Sequence, residues 1–88
     1  MDTIVFGDGI SYSTDYVASI PTPKRLYIRL PELSMVEAMQ IATSSEGMSK
    51  ITFHSHVYSG CSVIAVSSEN GVPKLSASYN EYSKKENG

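Results

Sequence analysis

Lys50-Ile-Thr-Phe-His-Ser-His-Val-Tyr-Ser-Gly-Cys-Ser-Val-Ile-Ala-Val-Ser-Ser-Glu-Asn-Gly-Val-Pro-Lys-Leu-Ser-Ala-Ser-Tyr79 is the longest piece of the chain with strand chemistry throughout. It reads as three strands joined by two tight reversals. Asn70-Gly71 is the strongest local turn signal, because both residues tolerate the positive φ that a two-residue hairpin requires. A second reversal is expected near Ser55-His56. Ile51, Phe53 and Ser55 share one face, and Lys50, Thr52 and His54 the other. Gly60 inside a strand suggests a bulge or a close backbone contact. Val63-Ile-Ala-Val66 is a continuous apolar run, which points to a strand covered on both faces or to a change of face at the bulge. Leu75, Ala77 and Tyr79 share a face of the last strand, and Pro73 near its start hints at an edge.

Upstream, Thr3 to Phe6 is β-prone, and Gly7-Asp-Gly9 carries the chemistry of a hairpin turn. Ile10 to Ile20 alternates, with Ile10, Tyr12, Thr14, Tyr16, Ala18 and Ile20 on one face, and predicts one half-buried strand. Pro21 and Pro23 stop it, since neither can donate to a ladder. Lys24 to Leu30 alternates most cleanly: Leu26, Ile28 and Leu30 point one way, and Arg25, Tyr27 and Arg29 the other.

Ser34-Met-Val-Glu37 has the spacing of a capping box, in which each side chain satisfies the other residue's free backbone N–H. Met35, Ala38, Met39 and Ala42 follow at helical spacing. Thr43 to Gly47 reads as the exit loop. The sum is an α+β fold with a single helix packed on a mainly antiparallel β-sheet, in the order β-β-β-α-β-β-β. One domain spans 1–79, and 80–88 is expected to be a polar, disordered tail. The expected core is Ile4, Phe6, Ile10, Leu26, Ile28, Leu30, Val36, Met39, Ile51, Phe53, Val63, Ile64, Val66 and Leu75.

Eighty-eight residues suffice for one core without metal or disulfide. Hydrophobic residues make up 41% of the chain, enough for a globular domain. Charged residues are only 18%, against the usual ~25%, and Ser and Tyr fill the gap. Tyr is enriched where proteins meet, so this composition tilts toward protein contact. The net charge is −2 and the basic residues are scattered, with only Lys24, Arg25 and Arg29 close together. Nucleic acid needs a basic face, so binding to it is not expected. The single cysteine, Cys61, cannot close an internal disulfide and argues for a reducing compartment or indifference to redox. The N-terminus lacks a basic region and a long apolar run, and no window approaches a membrane span. A soluble protein that starts at its own Met1 is expected.

No catalytic, cofactor or metal motif stands out. His54 and His56, two apart on a strand, would face one side and could share a metal, but a site needs three or four ligands. With a reversal between them they diverge and become hairpin histidines. Cys61 with either histidine could be a nucleophile and base, yet no orienting group or oxyanion loop accompanies it, and a small buried residue beside a bulge explains it. Gly7-Asp-Gly9 lacks the third glycine of a dinucleotide fingerprint. The residues left as a candidate interaction surface are Tyr12, Tyr16, Arg25, Tyr27, Arg29 and Tyr58.

Phe6-Gly-Asp-Gly9, Arg25-Leu-Tyr-Ile-Arg-Leu30, the short Met-rich helix and Val57-Tyr-Ser-Gly-Cys-Ser-Val-Ile-Ala-Val66 together resemble small proteins from the tail-gene regions of bacterial phages and prophages. The resemblance implies an accessory or structural role in a virion or its assembly, in a bacterial cytoplasm or in the particle itself. It carries over no functional residue. A non-enzymatic structural or protein-interaction module, with a protein partner or self-association, is the expectation. A module that binds a small ligand or peptide on a Tyr-rich sheet face is the alternative.

Overall fold

A computed structural model describes residues 2–84. The order is β1 (Asp2–Phe6), β2 (Ser11–Thr14), β3 (Tyr16–Pro21), β4 (Lys24–Arg29), α1 (Met35–Ala42), a 3-10 turn (Gly47–Ser49), β5 (Lys50–Phe53), β6 (His56–Ser59), β7 (Ser62–Glu69), β8 (Val72–Ser78) and β9 (Glu81–Lys84). The α+β class is as expected, but the strands form two antiparallel sheets rather than one. The first has the order β2-β1-β5-β6-β9 and the second β3-β4-β8-β7.

Three differences from the sequence reading separate the observed topology from a single sheet of six strands. The alternating stretch Ile10–Ile20 is not one strand. It breaks at Asp15, so that β2 pairs with β1 while β3 pairs with β4. The buried Thr14 hydroxyl makes that corner: it donates to the Arg29 carbonyl oxygen at 2.7 Å and accepts from the Tyr16 N–H at 3.3 Å. Side-chain bonds of this kind take over where a ladder is interrupted. The stretch Lys50–Tyr79 likewise holds four strands, not three. Gly60 is no bulge inside a strand but the crossing from β6 in the first sheet to β7 in the second. Its φ is +64°, and a Cβ there would press on the Asn80 side chain. The bulge lies further on, between Val63 and Ala65. Finally, Glu81–Lys84, expected to be polar tail, form β9 against β6, with Tyr58 opposite Tyr82. The remainder of the expected tail, 85–88, lies outside the described residues.

The turns follow local chemistry. Asn70 and Gly71 have φ of +52° and +80°, and Glu69 pairs with Val72 across them. The reversal near Ser55 occurs at His54-Ser55, with Phe53 opposite His56 and His54 at φ +55°. In the Gly7-Asp-Gly9 turn the Asp8 carboxylate accepts from the Ile10 N–H, and the Gly7 N–H donates to the Gly47 carbonyl. A Cβ on Gly7 would collide with the Glu46 carbonyl oxygen and Ser49 Oγ, so this contact admits only glycine. The capping box forms as its spacing predicts, with Glu37 N–H donating to Ser34 Oγ and Ser34 N–H donating to Glu37 Oε1.

One core gathers Ile4, Phe6, Ile51 and Tyr58 from the first sheet. Leu26, Ile28, Leu75 and Ala77 come from the second, and Ala38, Ile41 and Ala42 from α1. Leu30, Met48 and Tyr79 complete it. The helix is rotated from the expected face. Ala38, Ile41 and Ala42 point in, while Val36 and Met39, expected in the core, are 64% and 52% exposed. Ile10, Val63 and Ile64, also expected inside, are exposed as well, and Phe53 and Val66 are half-buried. The rotation has a packing reason. α1 lies against β7 and β8, and small Ala38 and Ala42 allow a closer approach to a sheet than Met39 would.

Candidate interaction surface

Strand alternation sends Arg25, Tyr27 and Arg29 of β4 to the outer face of the second sheet, opposite the buried Leu26 and Ile28. Pairing adds Tyr16, Ala18 and Ile20 from β3, and Lys74, Ser76 and Ser78 from β8. Four of the six candidate residues, Tyr16, Arg25, Tyr27 and Arg29, therefore share one surface. Of the charges on it, Arg29 and Lys74 are already matched, while Arg25 only donates to the Lys24 carbonyl. Arg29 Nη1 lies 3.2 Å from Glu69 Oε1, and Arg29 Nε lies 3.4 Å from Asp15 Oδ1 without hydrogen-bond geometry. Lys74 Nζ is 3.3 Å from Glu69 Oε2 and sits over the rings of Tyr16 and Tyr27, at 5.9 and 5.7 Å. Lys74 thus links the two tyrosine rings, and the rest of the face is Ala18, Ile20, Ser76, Ser78 and Arg25.

The other two candidates lie elsewhere. Tyr58 is only 4% exposed and is clamped edge-on by Tyr79 and tilted against Tyr82, so it supports the core rather than a surface. Tyr12 packs edge-on to Phe6 and lines a cleft of about 230 Å³ with Asp8, Leu33, Glu37, Gln40, Ile41 and Ser44. Burial, and then the nearby Asp8 and Glu37 carboxylates, push its hydroxyl pKa up. Glu37 is itself held below the usual carboxylate range by the Ser34 backbone N–H and hydroxyl.

His54 and His56 diverge across their turn. His54 Nε2 lies 3.2 Å from Asp2 Oδ1, while His56 stacks on Tyr82 with Nδ1 2.6 Å from its hydroxyl. Among the described residues no three His, Cys, Asp or Glu side chains cluster as a metal site would need. Cys61 Sγ lies 3.5 Å from the Tyr58 carbonyl oxygen, and burial pushes the thiol up to about 11. A thiol in that state is a poor nucleophile at neutral pH. No helix among the described residues is long and apolar enough to cross a membrane.

What the sequence reading missed is the free edge of the second sheet. β7 is the longest of the described strands and has no described neighbour beyond it. It carries no charge from Ser62 to Ser68. The other described edges are shorter. β2 and β9 have four residues each, β9 with Glu81 and Lys84, and β3 ends at Pro21. Such features blunt an edge against pairing; β7 has only its terminal Glu69 and the irregularity between Val63 and Ala65. Beside it, Met39, Ala42 and Thr43 of α1 and Val63–Val66 of β7 line an apolar groove of about 270 Å³. The apolar run Val63–Val66 and the second apolar stripe of the helix, Val36 and Met39, were its sequence signals. Both are equally consistent with a core. No protein family, no curated protein and no solved structure matches the chain.

Proposed function

We propose that the protein is a non-enzymatic interaction module that works by presenting a sheet edge and its adjoining apolar groove to another protein. The observation that carries this reading is the eight-residue edge strand β7, uncharged from Ser62 to Ser68, beside exposed Met39 on α1. Exposed strand edges recruit a further strand through main-chain hydrogen bonds, and neighbouring apolar side chains add burial. The Tyr16, Tyr27 and Ala18 face, with Arg29 and Lys74 already paired, is a second surface suited to protein contact. The resemblance to small proteins of phage and prophage tail-gene regions agrees with such a role and would place the partner in a virion or its assembly.

The test is solution mass by light scattering over a range of concentrations, followed by affinity capture with the full chain and by identification of what is retained. Self-association or a specific partner lost on Val63→Asp supports the reading. A chain that stays monomeric throughout and retains no partner overturns it.

A small-ligand role is the second reading, and one observation favours the cleft over the tyrosine face for it. The cleft brings Tyr12, Asp8, Glu37, Gln40 and Ser44 around a single hollow, whereas Tyr16 and Tyr27 are occupied by Lys74. A thermal-shift series with sugars, amines and nucleotides that moves the wild type, but not Gln40→Leu, would favour it. An unmoved wild type would remove it.

A further inference from the structure

We infer that the occupant of the β7 edge is a second copy of this chain, added antiparallel about a two-fold axis through Val66. This rests on the interaction-module reading above and names its partner. The hairpin geometry determines which backbone groups are free. Across the two-residue Asn70-Gly71 turn, Glu69 and Val72 form the pair that exchanges both hydrogen bonds, and the pattern then alternates. Ser67 and Ala65 therefore direct their N–H and C=O groups to β8, while Ser68 and Val66 direct theirs to the open edge. Pro73, opposite Ser68, fits this assignment, because the ladder with β7 needs no N–H at that position.

A strand from a second copy with Val66 opposite Val66 meets these outward groups with its own. The same register sets Ala65 opposite Ser67, so the regular pairing is centred on Val66 and the irregularity between Val63 and Ala65 lies at its ends, and the two valines contact each other on the face that carries α1. Charge also favours self-pairing. No like charges fall opposite one another, since Glu69 lands against the uncharged first half of β7 in the other copy. The two Glu69 carboxylates are six residues apart along the ladder, roughly 20 Å, beyond the Debye length of about 8 Å. Each is already matched by Arg29 and Lys74 within its own chain. The result is one continuous eight-stranded sheet. The two helices lie on the same face, and the Met39–Val63 grooves are closed against each other. Such a contact is isologous, as closed dimers require.

The experiment is sedimentation equilibrium and light scattering of the full chain over a wide concentration range, with two variants. Ser68→Pro removes an edge donor without touching the β7–β8 ladder, and Val66→Lys places a charge at the axis. Circular dichroism and thermal melts verify that each variant is folded, and either folded variant suffices if the other is not. The expected result is a wild-type mass of about twice 9.6 kDa, with the folded variants reverting to monomer and the Val66 and Ser68 amides losing their hydrogen-exchange protection. A wild type that is monomeric at every concentration overturns the proposal. So does a dimer that folded Ser68→Pro and Val66→Lys leave intact. A monomer that still captures a partner protein sinks the self-pairing but keeps the interaction module, so the two failures are distinguishable.

Discussion

The Thr14 hydroxyl lies 2.7 Å from the carbonyl oxygen of Arg29, across the point where the chain leaves one sheet for the other. This one bond, with the return bond from the Tyr16 N–H, lets a single alternating stretch serve two sheets. Removing it leaves a carbonyl and an N–H without their partner in a buried place. Thr14→Val, nearly isosteric, is expected to destabilise the fold by about 1–2 kcal/mol, and Thr14→Ser by less, since a lost buried partner costs that much. Urea unfolding of the three proteins decides it. Equal midpoints would mean that the corner is held by packing alone.

Gly7 meets the 3-10 turn so closely that its N–H reaches the Gly47 carbonyl at 2.8 Å. Gly7→Ala forces the β1–β2 turn and the Glu46–Ser49 segment apart, because the obstructing Glu46 oxygen belongs to the backbone. A loss of about 3 kcal/mol is expected, at the upper end of overpacking costs. Gly71→Ala has open space around it and only the strain of its positive φ, so its loss should be smaller. Thermal melts of the two variants measure the difference.

The capping box at Ser34 and Glu37 begins the one α-helix among the described residues. Ser34→Ala should cost about 1 kcal/mol. Glu37 has its folded pKa lowered by the Ser34 N–H and hydroxyl. Its contribution is therefore present above the ordinary glutamate pKa and is lost as pH falls through the lowered one. Between neutral pH and pH 3, Glu37→Gln should show a shallower acid loss of stability than wild type in denaturant titrations.

Cys61 gives an alkaline prediction. Its unfolded thiol loses a proton near 8.5, while the folded one keeps it up to about 11. In that window the folded chain binds a proton that the unfolded chain has released. The stabilisation is therefore complete below about 8.5 and is lost as pH rises through the window. Tyr79 and Tyr12, both pushed up chiefly by burial, act in the same sense at higher pH. Urea midpoints at pH 7 and pH 10 should differ more for wild type than for Cys61→Ala.

β9 is held by the Tyr82 hydroxyl on His56 and by the Tyr82 ring on Tyr58. Tyr82→Ala should cost about 1 kcal/mol from the lost aromatic pair and speed hydrogen exchange at Val57 and Ser59. Unchanged exchange there would mean that β9 is anchored by its backbone pairing alone.

Much of the local structure is legible in the residues themselves. Asn70-Gly71 dictates its turn through φ, Ser34 and Glu37 mark the helix start by hydrogen-bond spacing, and Leu26, Ile28 and Leu30 declare an inner face by alternation. Arg25, Tyr27 and Arg29 could likewise be assigned to the opposite, outer face, and only the β3–β4 pairing adds Tyr16 to it. Which sheet a strand joins is a different matter, because a period of two states which side chains alternate and nothing about the neighbour. Asp15 looks unremarkable in sequence and Gly60 reads as a bulge or close contact, yet the chain changes sheet at each. Tyr58 reads as surface because the residues that bury it, Tyr79 and Tyr82, come from far along the chain. The helix offered two apolar stripes, and contact with β7 and β8 selected Ala38, Ile41 and Ala42. That choice, made by packing between residues distant in sequence, left Val36 exposed and Met39 beside an open strand edge. The sequence by itself determined the turns, the cap and the alternating faces, which depend on bonds and sterics within a few residues. Only the tertiary structure decided the two sheets and the exposed β7 edge, since these depend on which distant surfaces meet.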